Sequence, residues 1–496
     1  MQSKIPVQGV VLHGVSAGVI ASISTLASAD WLRTDIVPTN VQSQGLVGAA
    51  VAVTQSADAV SGPNNAVGAA LWAGAPLATA TARASGAIDA WTFSAYTLQW
   101  FHAGKLISGT PQSGAMFGAA LASTGPKLVV GSPRYRLPGT ANAGTYKELA
   151  GTAELFSIAL PYYSPATATS VALTPPGLRK GGELYGYSVA AADTASNGFI
   201  ALVGSPGFDL TGATDAGKIH AFRQSGTSAP EYLQELVLPE PAPSDHLGAS
   251  IAFNGTTAFA GVDRAGGQVA AFPIVDASFG APTMIAAPEG MQHVAGFGRA
   301  LAADGGFIAV GAPGDSDYAW EEGRVLIFDA APPYTLRSVV ASPFPGECAG
   351  FGITVSLRRG TLVVGTANGT ELLADGAVAV YSIDSGTGAA VQQAIVMGPP
   401  TSGFGSAVAT SGAHIALGAP TTGASLSGSV IALSSGPASR SPDLNGDGVV
   451  NGTDLGLMLS NFRASVGSNS APDLNYDGSI NGADLAILLG AWGTSG

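Results

Sequence analysis

Twelve residues near the C-terminus are written twice. Asp443, Asn445, Asp447, Asn451 and Asp454 put oxygen-bearing side chains at positions 1, 3, 5, 9 and 12 of a loop whose sixth residue is Gly448. Thirty residues on, Asp473, Asn475, Asp477, Asn481 and Asp484 repeat the spacing around Gly478. A hard cation such as calcium takes about six to eight oxygens, and glycine permits the sharp turn that wraps the chain around it. Val449 and Ser479, at position 7, would add backbone carbonyls. Val450 and Ile480, at position 8, are apolar and should pack inward. Asx-rich turns without metal are the alternative, but two loops in register favour two calcium sites.

Each loop needs an element to hold it. Leu455, Met458, Leu459 and Phe462 follow the first, and Leu485, Leu488, Leu489 and Trp492 the second, both at i, i+3, i+4, i+7. That spacing lays one apolar stripe along a short helix. A calcium loop followed by a helix, with none before it and Asp at position 12, resembles the duplicated half-motif of type I dockerin domains. The resemblance covers residues 443 to 492. It implies a cohesin-like partner, or a surface scaffold, to which the chain is tethered. Loop positions 10 and 11, which in the cellulosomal family often carry hydroxyls that help choose the cohesin, are here Gly452-Thr453 and Gly482-Ala483. The calcium chemistry transfers; the partner's identity does not.

The other end of the chain bears on compartment. Lys4, a mostly apolar stretch from Val10 to Leu26 and Ala27-Ser28-Ala29 before Asp30 read as a secretory signal peptide cleaved after Ala29. A buried strand or an anchor helix is the alternative. The stretch is broken by His13, Gly14 and serines and is short for a span. Extracellular or cell-surface placement, with no transmembrane anchor, is the expectation. Charged residues are 11% of the chain and the net charge is −13, with no Lys/Arg cluster, which argues against nucleic acid and anionic membranes. A single cysteine, Cys348, excludes an intrachain disulfide framework.

Between these ends one unit recurs seven times. Each copy opens on an apolar residue and glycine: Val47-Gly48, Phe117-Gly118, Tyr185-Gly186, Leu247-Gly248, Phe297-Gly298, Phe351-Gly352 and Phe404-Gly405. An alternating small-residue run follows, then a second run ending in phrases such as Gly131-Ser-Pro133, Gly311-Ala-Pro313 or Gly418-Ala-Pro420. A third closes on a large apolar residue, as in Val269 to Phe272. Period-2 segments bounded by Gly, Pro and Asn are strands. Asn254-Gly255, Asp304-Gly305, Arg359-Gly360 and Ser411-Gly412 mark tight hairpins between the first two. Seven four-stranded units read as a β-propeller. The seventh lacks a fourth strand, and Trp31 to Pro38, matching Tyr232 to Pro239 in length and closing proline, should supply it. The expected fold is all-β: a seven-bladed propeller closed by an N-terminal strand, plus a small all-α calcium-loop domain. The expected boundaries are 1–29 signal peptide, 30–435 propeller, 436–442 linker and 443–496 dockerin-like domain.

The Phe-Gly … Gly-Ala-Pro phrasing resembles the FG-GAP repeat of integrin-type propellers. Calcium-binding members of that family carry an acidic loop between the first two strands. Here that loop is short in most blades and has no run of carboxylates, so blade calcium is not expected; Asp315 and Asp317 lie in another loop. In a propeller the second-to-third loops and the blade-to-blade connections share one face. Those segments carry Arg134-Tyr135-Arg136 with Tyr146, Phe208-Asp209, Asp315 to Trp320 with Glu321 and Glu322, Asn368 with Glu371, Asp245-His246, Gln292-His293 and Glu347-Cys348. Aromatics, amides and carboxylates there suit a glycan or protein ligand. The same loops could serve a propeller glycoside hydrolase or polysaccharide lyase, with Asp245 and Glu347 as carboxylates and His246 or His293 as base. Their spacing singles none of them out, and no catalytic motif appears. Non-enzymatic recognition or display is therefore the favoured reading, and the dockerin-bearing enzyme its rival.

Overall fold

In the computed structural model of the chain, the described residues are 3–4, 31–36, 45–55, 67–94, 99–138, 146–159, 167–177, 180–195, 198–264, 266–288, 295–314, 322–344, 350–366, 376–399, 401–423 and 426–435. In the C-terminal region they are 442–445, 447, 449–462, 472, 474, 480, 482–490 and 492–493. The leader apart from Ser3 and Lys4, the linker up to residue 441, and the acidic loop with Asp315 and Asp317 lie outside them.

Seven four-stranded antiparallel blades form a propeller ring. Blade 1 is Ala50–Gln55, Val67–Ala75, Ala87–Ser94 and Gln99–Leu106; blade 2 is Ala120–Thr124, Lys127–Ser132, Thr152–Ala159 and Thr167–Ala172. Blade 3 is Val189–Thr194, Gly198–Ser205, Lys218–Gln224 and Glu231–Leu236; blade 4 is Ile251–Phe253, Thr257–Val262, Gln268–Val275 and Thr283–Ala286. Blade 5 is Ala300–Asp304, Phe307–Ala312, Arg324–Asp329 and Leu336–Ala341; blade 6 is Thr354–Arg358, Thr361–Gly365, Ala377–Ile383 and Ala390–Met397. Blade 7 takes Val408–Thr410, His414–Ala419 and Ser429–Ser435 from one part of the chain and Trp31–Ile36 from the other. The expected closing strand pairs antiparallel with the third strand of blade 7, from Trp31 opposite Ser435 to Ile36 opposite Val430. Ser3–Lys4 adds a short pairing beyond it.

The repeated phrase has a physical cause. The apolar residue that opens each blade is buried in the blade before it: Phe117 against Trp72 and Ile88, Phe297 against Phe259 and Val269, Phe404 against Val363 and Val378. Burying such a side chain contributes about 2 kcal/mol. The two glycines of the repeat meet between neighbouring blades. A Cβ on Gly74, Gly131, Gly204, Gly261, Gly311, Gly365 or Gly418 would lie 2.0 to 2.3 Å from the carbonyl oxygen of the opening glycine of the next blade. Only glycine allows that approach. Gly418 meets Gly48, so blade 7 joins blade 1 by the same glycine contact as every other pair, and Val47 adds a bridge to Gly428.

Small residues on one face admit large ones from the next blade. At the seam Ala407, Ala416 and Ala432 of blade 7 cluster with Val51, Val53 and Leu71 of blade 1. Outer strands are less regular than the pattern implied. Blades 1, 3, 5 and 6 each shift register by one between third and outer strand, as at Ala90/Trp91 and Val380/Tyr381. Such bulges increase local twist.

Candidate functional sites

In the C-terminal region the helices Gly452–Ser460 (α1) and Gly482–Gly490 (α2) follow their loops. Asn451 caps α1, accepting from the Thr453 amide, and Asp454 completes a capping box. The position-8 residues pack inward as expected: Val450 and Ile480 are fully buried with Met458, Leu474 and Leu488 in one shared core. The expected apolar stripes are split. Leu455, Phe462 and Leu485 pack partly on that core, but Leu459 and Leu489 are each 51% exposed and Trp492 is 47% exposed. A core built from two short helices and two loops reaches only one turn-spaced row on each helix.

Of the twelve proposed metal positions, Asp443, Asn445, Asp447, Val449, Asn451, Asp454 and Asp484 are described. Asp473, Asn475, Asp477, Ser479 and Asn481 lie outside the described residues. The first loop curls around its own oxygens. The Asp447 amide donates to Asp443 Oδ1 (3.2 Å) and Asn445 Oδ1 (3.0 Å), and the Val449 amide to Asp447 Oδ1 (2.9 Å). Asp454 is fully buried, its carboxylate accepting from the amides of Leu444 (2.7 Å), Asn445 (3.2 Å) and Asn451 (2.8 Å). The Asn451 amide, aided by those of Asn445 and Leu444, holds its carboxyl below the usual carboxylate range. Asp484 is equally buried and accepts from Leu474 (2.7 Å), the counterpart of Leu444.

Among the described residues no three His, Cys, Asp or Glu side chains converge on a metal-holding cluster. The donor set nevertheless fits a hard cation. Asp443, Asp447 and Asp454, with Asn445, Asn451 and the Val449 carbonyl, would hold calcium, whose two positive charges would offset most of the charge on the three carboxylates.

On the propeller, each blade opens with the same turn. The residue before the apolar-glycine pair has a positive φ, and its carbonyl accepts from the amide just after the glycine, as in His246 (φ 46) with Ala249 at 2.9 Å and Gly296 (φ 74) with Arg299 at 2.9 Å. The positive-φ residues in chain order are Leu46, Met116, Leu184, His246, Gly296, Gly350 and Gly403. The residues after the glycine are Ala49, Ala119, Tyr187, Ala249, Arg299, Ile353 and Ser406. The ring therefore presents chemistry unevenly: His246, Tyr187 and Arg299 fall together on blades 3 to 5. They line a 140 Å³ pocket with Ser250 and Asp263. His246 Nδ1 sits 3.4 Å from Asp263 Oδ2. Tyr187 and Ser250 also line a 310 Å³ cavity at the adjacent mouth of the central channel. Neither Tyr187 nor Arg299 is evident from loop composition. Aligning the repeats at the opening turn exposes both, because most other blades carry a small residue there.

Several expected face residues have other employment. Asp245, 1% exposed, is clamped by Arg264, whose Nε and Nη2 lie 2.7 and 2.9 Å from its oxygens. Phe208 carries the Lys218 ammonium 3.6 Å above its ring, and Asp209 accepts from the Asp215 amide. Arg136 pairs with Glu148 at 2.8 Å. Arg134 is exposed, Tyr135 and Glu322 are half-buried, and Tyr146 lies in a two-residue strand opposite Pro138. Asp315 to Trp320, Glu321, Asn368, Glu371, Gln292, His293, Glu347 and Cys348 lie outside the described residues.

With this geometry in view, residues 441–490 match the Dockerin type I domain family. Type I dockerin domains bind calcium and pair with cohesin modules. The chain thus joins a seven-bladed propeller to a type I dockerin domain. No curated protein matches the chain. Among solved structures, U3-55K is 11% identical, with a TM-score of 0.47 over 81% of this chain and 98% of that chain. The RRP9 WD40 repeats give 11% and 0.47 over 81% and 97%. Sqt1 from Chaetomium thermophilum gives 12% and 0.40 over 80% and 99%. Such values mark a distant likeness of outline and carry nothing about activity. No helix among the described residues is long and apolar enough to cross a membrane.

Proposed function

We propose that this is a secreted, non-enzymatic recognition module: a propeller of FG-GAP type displayed on a scaffold through its dockerin domain. The domain order is that expected above, with a leader over residues 1–29, a propeller over 30–435, a linker over 436–442 and a calcium-loaded tether over 443–496. The match of residues 441–490 to the dockerin family carries the reading. Two features add support. The exposed Leu459 and Leu489 occupy equivalent sites on the two helices, offering an apolar surface to a cohesin-like partner. The facing glycines of adjacent blades account for the FG-GAP phrasing. Asp245 is locked in an ion pair by Arg264, so it is poorly placed to serve as one of two hydrolytic carboxylates.

The test is calorimetric titration of the full chain against a panel of type I cohesins, with calcium and with chelator. Calcium-dependent binding to at least one cohesin is expected, and Asp447→Ala combined with Asp477→Ala should abolish it. If no cohesin binds the calcium-loaded chain, the tether reading is wrong.

A further inference from the structure

We infer that the pocket between Tyr187 and Arg299 is a sugar-binding site for a pyranose bearing a carboxylate. The inference rests on the recognition reading above and gives it a ligand class. The site is built by three departures from a seven-fold repeat. Because the opening turn has the same hydrogen bond in every blade, the residue after the glycine emerges at one equivalent place seven times. Blade 4 carries Ala249 there, and its neighbours carry Tyr187 and Arg299, so a gap opens with an aromatic wall on one side and a cation on the other.

The walls are available for binding. Tyr187 is 45% exposed, an aromatic that burial does not require. Arg299 is also exposed and, among the described residues, its guanidinium has no hydrogen-bond or ion-pair partner. The back of the gap is polar: His246 stands 3.4 Å from Asp263, and their side chains are 38% and 60% exposed. In three other blades the position of His246 holds Leu or Met, and in the remaining three glycine. The floor is already satisfied, with Ser250 Oγ donating to the Gly298 carbonyl at 2.6 Å, so the free valences all belong to the walls and the back.

These groups specify a ligand. An aromatic ring takes the C–H face of a pyranose, whose hydroxyls can donate to the Asp263 carboxylate and bond His246. Arg299 adds what a neutral sugar would not use, a planar fork that matches a carboxylate. The 140 Å³ pocket suits a single ring, and the 310 Å³ channel mouth sharing Tyr187 and Ser250 leaves space for the rest of a chain.

The experiment titrates the full chain with glucuronate and galacturonate, and with glucose and galactose as neutral counterparts, followed by ligand-observed NMR and calorimetry. At least one uronate should bind about tenfold more tightly than its neutral counterpart, the scale of one charge-assisted contact. Arg299→Gln should erase that preference while leaving residual binding, and Tyr187→Ala should weaken acidic and neutral sugars alike. Both side chains are exposed, so thermal unfolding of the variants should match the parent. Absence of binding by all four sugars overturns the site, as does a preference that survives Arg299→Gln or equal affinity for acidic and neutral forms. Calcium-dependent cohesin binding is measured on the same variants and should not change, which separates failure of this site from failure of the tether.

Discussion

A single methyl group tests the glycine contacts between blades. In Gly311→Ala the new Cβ would meet the Gly352 carbonyl oxygen 2.1 Å away, with backbone on both sides and nothing free to move. A loss of about 3 kcal/mol is expected, the scale of a severe core clash. Gly305→Ala is the control: its Cβ meets nothing within 4 Å, and only its φ of 54° opposes the change, by about 1 kcal/mol. Equal losses in chemical denaturation would show that the contact is not what fixes glycine there. His414 is a second residue-scale test. It packs against Phe93 (4.5 Å between ring centroids) and Trp100 (5.6 Å) across the seam of blades 7 and 1, with Nδ1 3.0 Å from Ser434 Oγ. Burial pushes its pKa down to about 4 from 6.5. The folded protein thus resists a proton that the unfolded chain accepts. Stability from this group is complete above pH 6.5 and falls as pH drops toward 4, by about 3 kcal/mol in all. His414→Gln should flatten that part of the pH–stability curve, read from urea midpoints between pH 7 and 4.

At the scale of elements, Trp31–Ile36 is the strand whose removal costs most for its length. Deleting residues 30–40 would bare the whole edge of Ser429–Ser435. Lower thermal stability and oligomers on size exclusion are expected, and a monomer melting like the parent would contradict the closure. This strand was legible from the sequence because six units ended in a strand and the seventh did not. Inner and middle strands were legible for a related reason: the glycines that punctuate them are dictated by backbone contact. Outer strands were read less well. The outer strand of blade 3, expected over Tyr232 to Pro239, runs Glu231–Leu236, and that of blade 1 runs Gln99–Leu106 past a bulge. They are half-exposed and four blades carry a bulge there, so alternation gives no clean register. The loop oxygens of the dockerin domain were plain in their spacing. Tyr187 and Arg299 were not, because each looks ordinary until set against the six equivalent positions.

The whole molecule combines a part held by packing with a part too small to bury much. Among the described residues every pair of neighbouring blades shares its own apolar cluster, whereas the C-terminal region has one modest cluster. Calcium should therefore supply much of the tether's folding free energy and little of the propeller's. Circular dichroism of the isolated 441–496 segment should show helix gained on calcium addition and lost with chelator, and Asp447→Ala with Asp477→Ala should remove the gain. An unchanged spectrum would refute the metal assignment. In the full chain, chelator should leave the main melting transition in place. The closing strand has one more consequence, a mechanical one. The chain leaves the propeller at Ser435, the end of a strand flanked by His414–Ala419 on one side and Trp31–Ile36 on the other. A pull transmitted through a tethered dockerin domain enters at the end of that strand, and any component along its axis loads two antiparallel ladders in shear at once. Had Ser429–Ser435 been left as the outermost strand, only one ladder would have borne the load.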